Sequence, residues 1–200
     1  MKNKLSLLAI TLTLSIGVAH AATPFEQMMS SSFQTKGIAN IDRLNQDAAQ
    51  KFCSTPGNLS GGGDPKVREK IQSENMVTIK QPSDGKYIGD WKNGEKIAQS
   101  GKGLTWKKLK PGEPIGGGCY NCHQINIKEI SYGNIGPSLW NYGKLRGYSK
   151  DVVQYTWNRI NNSKAYNVCS NMPRFAHILT ENQKQDVMAL LLDPESPVNK

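Results

Sequence analysis

Beyond its first 21 residues, the 200-residue sequence lacks any apolar run long enough to cross a lipid bilayer. It also lacks a stretch of useful length in which apolar and polar residues alternate, which is the pattern of a half-buried β-strand. The first absence predicts a mature chain without a membrane span. The second predicts that the fold class is mainly α.

Acidic residues are scarce relative to basic ones. There are 16 Asp and Glu residues against 25 Lys and Arg residues, so the formal net charge is +9. A positive field of this kind raises the rate of encounter with acidic protein partners. Nucleic acid is disfavoured as a partner by the export signal at the N-terminus. We therefore expect acidic proteins as partners and no nucleic acid.

The first 21 residues have the three parts of an export signal. Lys2 and Lys4 supply positive charge, residues 5–18 form a short apolar run, and Ala19-His20-Ala21 has the small-x-small form of a cleavage site. Residues 1–21 are therefore predicted to be a signal peptide. Its removal would leave a soluble periplasmic chain with a net charge of about +7, and a retained anchor is the alternative.

Cysteine and histidine are rare, yet two cysteines and a histidine stand together in Cys119-Tyr120-Asn121-Cys122-His123. Cys-x-x-Cys-His is the attachment motif of a c-type haem, in which the thiols add to two vinyl groups and the imidazole binds the iron. A thioredoxin-like site would need a βαβ context and a zinc site a second ligand pair, and the sequence has neither. The motif predicts one covalent haem c, anchored by Cys119 and Cys122, with His123 as proximal ligand.

The other two cysteines, Cys53 and Cys169, stand alone in the sequence. Because an exported chain meets an oxidising compartment, the simplest prediction is a disulfide between them. This bond would close a loop of roughly 115 residues, which the chain-entropy model rates at on the order of 4 to 5 kcal/mol. Two free thiols or an intermolecular bridge are the alternatives.

The N-terminal part of the mature chain has two helical patterns. Apolar residues recur at three- and four-residue steps over residues 37–52, which predicts an amphipathic helix there. Asp64 and Pro65 then form a cap and first turn for a second helix that runs to about Val77. Residues 22–85 are therefore predicted to be a helical N-terminal extension.

Three further helices are predicted over residues 86–200. Two cover residues 90–98 and 151–160, and the last begins after Thr180, where Gln183 completes a capping box, and ends before Pro194. A helix before the haem motif, loops around it and a C-terminal helix are typical of the class I cytochrome c domain, whose first and last helices cross. We predict such a domain over residues 86–200.

The sixth ligand of the iron would decide between electron transfer and ligand chemistry. Met172 is the first candidate, because it lies in a loop between two helices and Pro173 fixes the chain beyond it. Met188 stands among apolar residues at helical spacing, which favours core packing. His177 is the competitor, although its place near the last helix favours an exposed loop histidine. The remaining candidates in the mature chain are Met28, Met29 and Met76.

A Met172 ligand would have mechanistic consequences. A thioether favours ferrous iron and raises the reduction potential relative to a second histidine. Because both axial positions would be filled, no site would remain for a substrate, which favours electron transfer. Pro137 is predicted to place its carbonyl against the other ring nitrogen of His123, as class I cytochromes do. An ordinary turn proline is the alternative.

Six strings of the sequence resemble the SoxX family, the monohaem subunits of SoxAX cytochromes. They are distributed between residues 87 and 199. The last two are more specific than the haem motif, which many unrelated cytochromes share. The strings are residues 87–92, 94–98, 119–124, 133–139, 169–175 and 190–199.

The resemblance implies a role in sulfur oxidation. In that family the two-subunit complex couples thiosulfate oxidatively to a cysteine of the SoxYZ carrier, which makes it an L-cysteine S-thiosulfotransferase. The chemistry is attributed to a haem of the SoxA partner, while the SoxX haem accepts electrons and passes them to a small cytochrome c. His123 and Met172 would be axial ligands, and no residue of this chain would be catalytic. One departure, Ala176-His177 where the family usually has glycine, leaves the geometry of the methionine loop open.

Two other functions stay open on the sequence alone. The first is a free-standing periplasmic electron carrier, which would need no surface for a permanent partner. The second is a haem-based sensor of a small ligand, which requires that Met172 be absent from the iron or easily displaced.

Overall fold

The computed structural model describes residues 22–37, 39–103 and 109–200. The predicted signal peptide, residues 1–21, lies outside them. The chain divides into two compact units, one up to Gln34 and one over Thr35–Lys200. In the first unit, helix α1 spans Pro24–Ser32 and begins with a capping box between Thr23 and Glu26. The side chains of α1 are largely exposed, and none of its residues is buried.

Helices dominate the described residues, and the one β-type pairing recorded there is an isolated bridge between Lys36 and Ala39. The mainly α prediction is therefore confirmed. None of the described helices is long and apolar enough to cross a membrane. The helices of the second unit are α2 (Ala48–Ser54), α3 (Pro65–Met76), α4 (Trp91–Gln99), α5 (Tyr142–Arg146), α6 (Lys150–Asn162) and α7 (Glu181–Leu192). Short 3-10 helices cover Ile41–Leu44, Cys119–Asn121, Ser163–Ala165 and Phe175–His177.

The predicted helix over residues 37–52 is wrong as a continuous element. Instead, a 3-10 turn over Ile41–Leu44 is followed by α2, which begins only at Ala48. Asp47 is the reason, because its backbone is extended and its carboxylate accepts a hydrogen bond from the Gln50 amide as an N-cap. A side chain that caps a new helix ends the periodic pattern before it.

The other predicted helices are confirmed to within a few residues. Asp64 and Pro65 start α3 as N-cap and first helical residue. Asp90 caps α4, and Ser149 caps α6. The predicted capping box of Thr180 and Gln183 starts α7.

Helices α4 and α7 pack closely against each other. The contact centres on Gly94, where an added Cβ would lie 2.0 Å from the carbonyl oxygen of Asp186. Only glycine permits this approach of the two backbones. Around the contact, Trp157 of α6 and Met188 of α7 are fully buried in one apolar cluster with Ile97. This core holds α4, α6 and α7 in place around the site.

Residues 35–85 and residues 86–200 belong to one compact unit, and the division of the chain at residue 85 into an extension and a cytochrome c domain stays a prediction. The indole nitrogen of Trp157 donates to the Lys80 carbonyl at 2.9 Å, and Gln72 donates to the Tyr166 carbonyl at 2.9 Å. The predicted disulfide between Cys53 and Cys169 is confirmed, with 5.5 Å between the two Cα atoms.

Candidate functional site

A cavity of about 540 Å³ opens beside α4, α6 and α7. Two segments supply most of its lining. We name residues 117–139, which contain the Cys-x-x-Cys-His motif, the motif wall. We name residues 163–175, which contain Met172, the methionine wall. The cavity thus brings together Cys119, Cys122 and His123 of one wall with Met172 of the other.

The motif wall is built from local hydrogen bonds. The amide of His123 donates to the Cys119 carbonyl at 3.0 Å, which closes a tight turn through Cys122. This turn brings the two thiols and the imidazole to the same cavity. The amide of Gly136 donates to the Cys122 carbonyl at 2.8 Å, so the returning chain is fixed against the turn.

The imidazole ring of His123 is oriented by the backbone of the returning chain. Its Nδ1 lies 2.7 Å from the carbonyl oxygen of Pro137, at the position that the sequence predicted for this carbonyl. Gly136 lies against the ring, where an added Cβ would be 2.2 Å from Cε1. If Nδ1 carries the proton that it donates to Pro137, Nε2 keeps its lone pair for a metal.

The two motif cysteines remain thiols, although Cys53 and Cys169 are paired. Both thiols border the cavity and are partly exposed to it. Burial among the surrounding protein atoms raises the pKa of the Cys119 thiol to about 12. Across the described ranges, no cluster of three or more His, Cys, Asp and Glu side chains could hold a metal ion by itself.

The methionine wall is held by contacts within its own loop. The Ser170 hydroxyl accepts from the Met172 amide at 3.2 Å and lies 2.8 Å from the Ser163 hydroxyl. The ammonium group of Lys164 donates to the carbonyls of Val168 and Ser170 at 3.2 and 3.0 Å. Burial, and next the charge of Arg174, lowers the pKa of Lys164. These bonds fix the backbone that leads to Met172.

Two long-range links tie the methionine wall to α2. One is the Cys53–Cys169 disulfide, and the other is an ion pair of 2.6 Å between Arg174 and the Asp47 carboxylate. Burial pushes the pKa of Asp47 upward, but hydrogen bonds from the Gln50 amide and the Arg174 guanidinium outweigh it. The net pKa of Asp47 therefore lies below its usual value.

The other candidates for a sixth ligand in the second unit do not line the cavity. Met188 is fully buried in the core cluster with Trp157 and does not line the cavity. His177 is exposed at the end of a 3-10 turn, and it too is absent from the lining. Met76 borders a separate shallow depression beside α3. Met28 and Met29 belong to α1 of the first unit.

The rest of the lining is largely apolar, with two cationic exceptions. Arg146 and Arg159 also border the cavity, each with its guanidinium stacked over tyrosine rings. The sequence analysis missed both arginines. A usable signal was present, because Tyr142 and Arg146, and likewise Tyr155 and Arg159, stand four residues apart on helices. The apolar lining includes Ala98, Ile125, Leu139, Ile160, Phe175, Leu179, Val187, Leu190 and Leu191.

Fold and site define a mainly helical, disulfide-bonded protein whose Cys-x-x-Cys-His motif opens into a largely apolar cavity. The chain is 40% identical over 157 residues to an uncharacterized lipoprotein of Aquifex aeolicus (strain VF5), a match that covers 78% of this chain and 73% of that protein. The chain belongs to the same family as this lipoprotein. No protein-family model matches the chain.

Proposed function

We propose that the protein is a c-type cytochrome with one covalent haem in the cavity. Cys119 and Cys122 would be the thioether anchors, and His123 and Met172 the axial ligands. The observation that carries the proposal is that one cavity is bordered by both thiols, by the imidazole and by the thioether. The helix order and the close α4–α7 contact support a class I cytochrome c domain.

The residues that border the cavity fit a covalent haem. The cavity volume of about 540 Å³ lies in the range of cofactor sites, and its lining is mostly apolar. The thiols are unpaired with each other, as addition to vinyl groups requires. The Pro137 carbonyl orients the His123 ring, and Gly136 leaves the space that the ring occupies.

Side chains and backbone groups of the protein would tune the redox properties of the haem iron. When bound, haem supplies an iron that alternates between ferric and ferrous states and so carries one electron. The hydrogen bond from His123 to Pro137 makes the imidazole a stronger donor and fixes its orientation. The soft sulfur of Met172 favours the ferrous state. With both axial positions occupied by protein groups, the cavity would exclude small substrates from the metal and serve electron transfer.

The resemblance to the SoxX family supports a more specific role. The protein would be the electron-accepting subunit of an L-cysteine S-thiosulfotransferase, next to a SoxA-like cytochrome subunit that carries the catalytic chemistry. Electrons released when thiosulfate is coupled to a SoxYZ-like carrier would enter the haem held by Cys119 and Cys122. They would leave to a small cytochrome c. No side chain of this subunit acts as nucleophile in this scheme.

An exposed apolar segment beside the motif supports a permanent partner. Ile127, Ile130, Tyr132 and Ile135 are each at least half exposed, and Ile135 also borders the cavity. The segment is fixed to the motif turn, because the Gly133 amide donates to the Tyr120 carbonyl. Large apolar side chains grouped at one edge are typical of an interface. A free-standing carrier would leave them in water.

Export to the periplasm is part of the proposal. The first 21 residues have the pattern of a signal peptide, and the Aquifex relative is described as a lipoprotein, which is an exported class. The Cys53–Cys169 disulfide also suits an oxidising compartment. Haem attachment to a Cys-x-x-Cys-His motif occurs in the same compartment, so the proposed export is consistent with the proposed haem.

Copurification from a periplasmic extract tests the role. We expect a haem-stained chain to elute with a second cytochrome, and we expect the complex to reduce a small cytochrome c when thiosulfate and the carrier protein are added. Recovery of a lone haem-bearing monomer would support the free-standing carrier instead. Ready binding of carbon monoxide by the reduced protein would support the sensor.

A further inference from the structure

Arg159 borders the cavity with its charge uncompensated. Its Nε donates to the Tyr155 hydroxyl at 2.8 Å and its Nη1 to the Ser163 carbonyl at 3.3 Å. Within the described residues, Nη2 donates no hydrogen bond, and no carboxylate forms an ion pair with Arg159. The side chain is half-buried. A half-buried cation of this kind is costly unless an anion compensates it.

Aromatic rings hold the guanidinium in one orientation. Its carbon lies 5.3 Å from the ring centres of both Tyr155 and Tyr166. Arg146, at the exposed edge of the same cavity, lies 5.3 Å from the ring centre of Tyr142 and 5.7 Å from that of Tyr155. It also has no ion pair in the described ranges. The guanidinium groups of Arg159 and Arg146 are thus both positioned at the border of the cavity.

The chemistry of the two arginines specifies their ligand. A planar guanidinium with free N–H donors matches a carboxylate better than any neutral group. The rest of the lining is mostly apolar, so the ligand would have a large apolar body and an anionic end. Haem has this form, since its vinyl groups and its two propionates lie on opposite edges of the ring.

We propose that Arg159, with Arg146 at the exposed edge, binds the haem propionates and keeps them ionised. This inference rests on the proposed haem attachment. Thioether bonds at Cys119 and Cys122 would fix the vinyl edge at a turn that packs on α4, whereas the arginines come from α5 and α6. Both guanidinium groups lie near the Tyr155 ring, with their carbons 5.7 and 5.3 Å from its centre, and this shared ring would limit their spacing.

The test measures the midpoint reduction potential of the holoprotein as a function of pH. In wild type, the arginines keep the propionates ionised, so the potential changes little with pH across the neutral range. In Arg159→Gln the propionate would take up a proton, more readily when the iron is reduced. The potential of that variant should then fall as pH rises through the neutral range.

Arg68→Gln is the matched control, because Arg68 is also stacked on an aromatic ring, that of Phe52, and lies outside the cavity lining. It removes the same charge, so its potential should follow the wild-type pH profile. Arg146 is exposed, so the potential of Arg146→Gln should also fall with rising pH, but by less than that of Arg159→Gln. This variant also carries the test if Arg159→Gln does not accumulate.

The outcomes separate this inference from the proposed function. A haem-stained denaturing gel of the wild-type chain is the first readout, and loss of stain there would contradict the proposed function itself. If the stain is present and the arginine variants keep the wild-type pH profile, the propionate assignment is wrong and the haem assignment stands.

Discussion

The two walls of the cavity are built in different ways. The motif wall is mainly local: Cys119, Cys122 and His123 are placed by hydrogen bonds within residues 117–139, and the two residues before them donate to carbonyls at the end of α4. The methionine wall depends on a distant part of the chain, because the disulfide spans a sequence separation of 116 residues and Arg174 pairs with Asp47. In the proposed cytochrome, attachment of the haem and tuning of its iron would therefore be separable properties with different structural supports.

The largest effect should come from the motif wall. Replacing both motif cysteines, Cys119→Ala and Cys122→Ala, removes the two thioether anchors. We expect complete loss of covalent haem from the purified chain, measured by haem staining after denaturation. The matched control removes the other pair, Cys53→Ser and Cys169→Ser, and should keep the stain. Equal loss of stain in both pairs would contradict the separation of the two walls.

Met172→Ala should leave the covalent attachment of the haem intact and change only the ligand of its iron. Without the thioether the reduction potential should fall by a fraction of the roughly 0.8 V range that axial ligands span, and the reduced protein should bind carbon monoxide. Potentiometry and carbon monoxide difference spectra check this expectation. His177→Ala is the control, since His177 is exposed and outside the lining. A carbon monoxide complex in that variant alone would make His177 the ligand.

Removing the disulfide should loosen the methionine wall and not the motif wall. We expect the Cys53→Ser and Cys169→Ser double variant to lose roughly 2 to 5 kcal/mol of unfolding free energy, because the crosslink no longer restricts the unfolded chain. Urea denaturation of the holoprotein measures the loss. An unchanged free energy of unfolding would show that Ser163, Lys164 and Ser170 hold the wall without help from α2.

The smallest effect concerns the charge of Asp47. Asn is also a good N-cap, so Asp47→Asn removes the charge opposite Arg174 while it preserves the cap of α2. Because the folded-state pKa of Asp47 is lowered, its contribution is present above the unfolded pKa of about 4 and disappears as pH falls through the folded pKa. The pair is more than a third exposed on the Asp47 side, so we expect a loss of at most about 1 kcal/mol at pH 7. Urea titrations at pH 7 and pH 3 should show a smaller loss at the lower pH.

The sequence was most informative where the signals are local. The capping box of Thr180 and Gln183 predicted the start of α7 to the residue, and the motif with Pro137 predicted the arrangement behind His123. Apolar periodicity failed over residues 37–52, because it gives no weight to the capping carboxylate of Asp47.

Contacts between distant segments, and residues without a distinctive sequence pattern, could not be predicted from such local signals. Hydrogen bonds such as that from Trp157 to the Lys80 carbonyl join segments 77 residues apart, so no local composition change marks them. They help to make residues 35–85 and residues 86–200 one compact unit. Arg146 and Arg159 were missed because a charged residue on a helix usually faces water, and only their tyrosine partners four residues away distinguish them.

The absorption spectrum of the ferric wild-type protein, compared with that of Met172→Ala, tests the central claim most directly. A methionine sulfur bound to ferric haem iron gives a weak long-wavelength band. We predict that this band is present in the exported wild-type chain and absent from Met172→Ala, with the same covalent haem content in both. A wild-type spectrum without the band, or a band that persists in Met172→Ala, would contradict the assignment of the methionine wall to the iron.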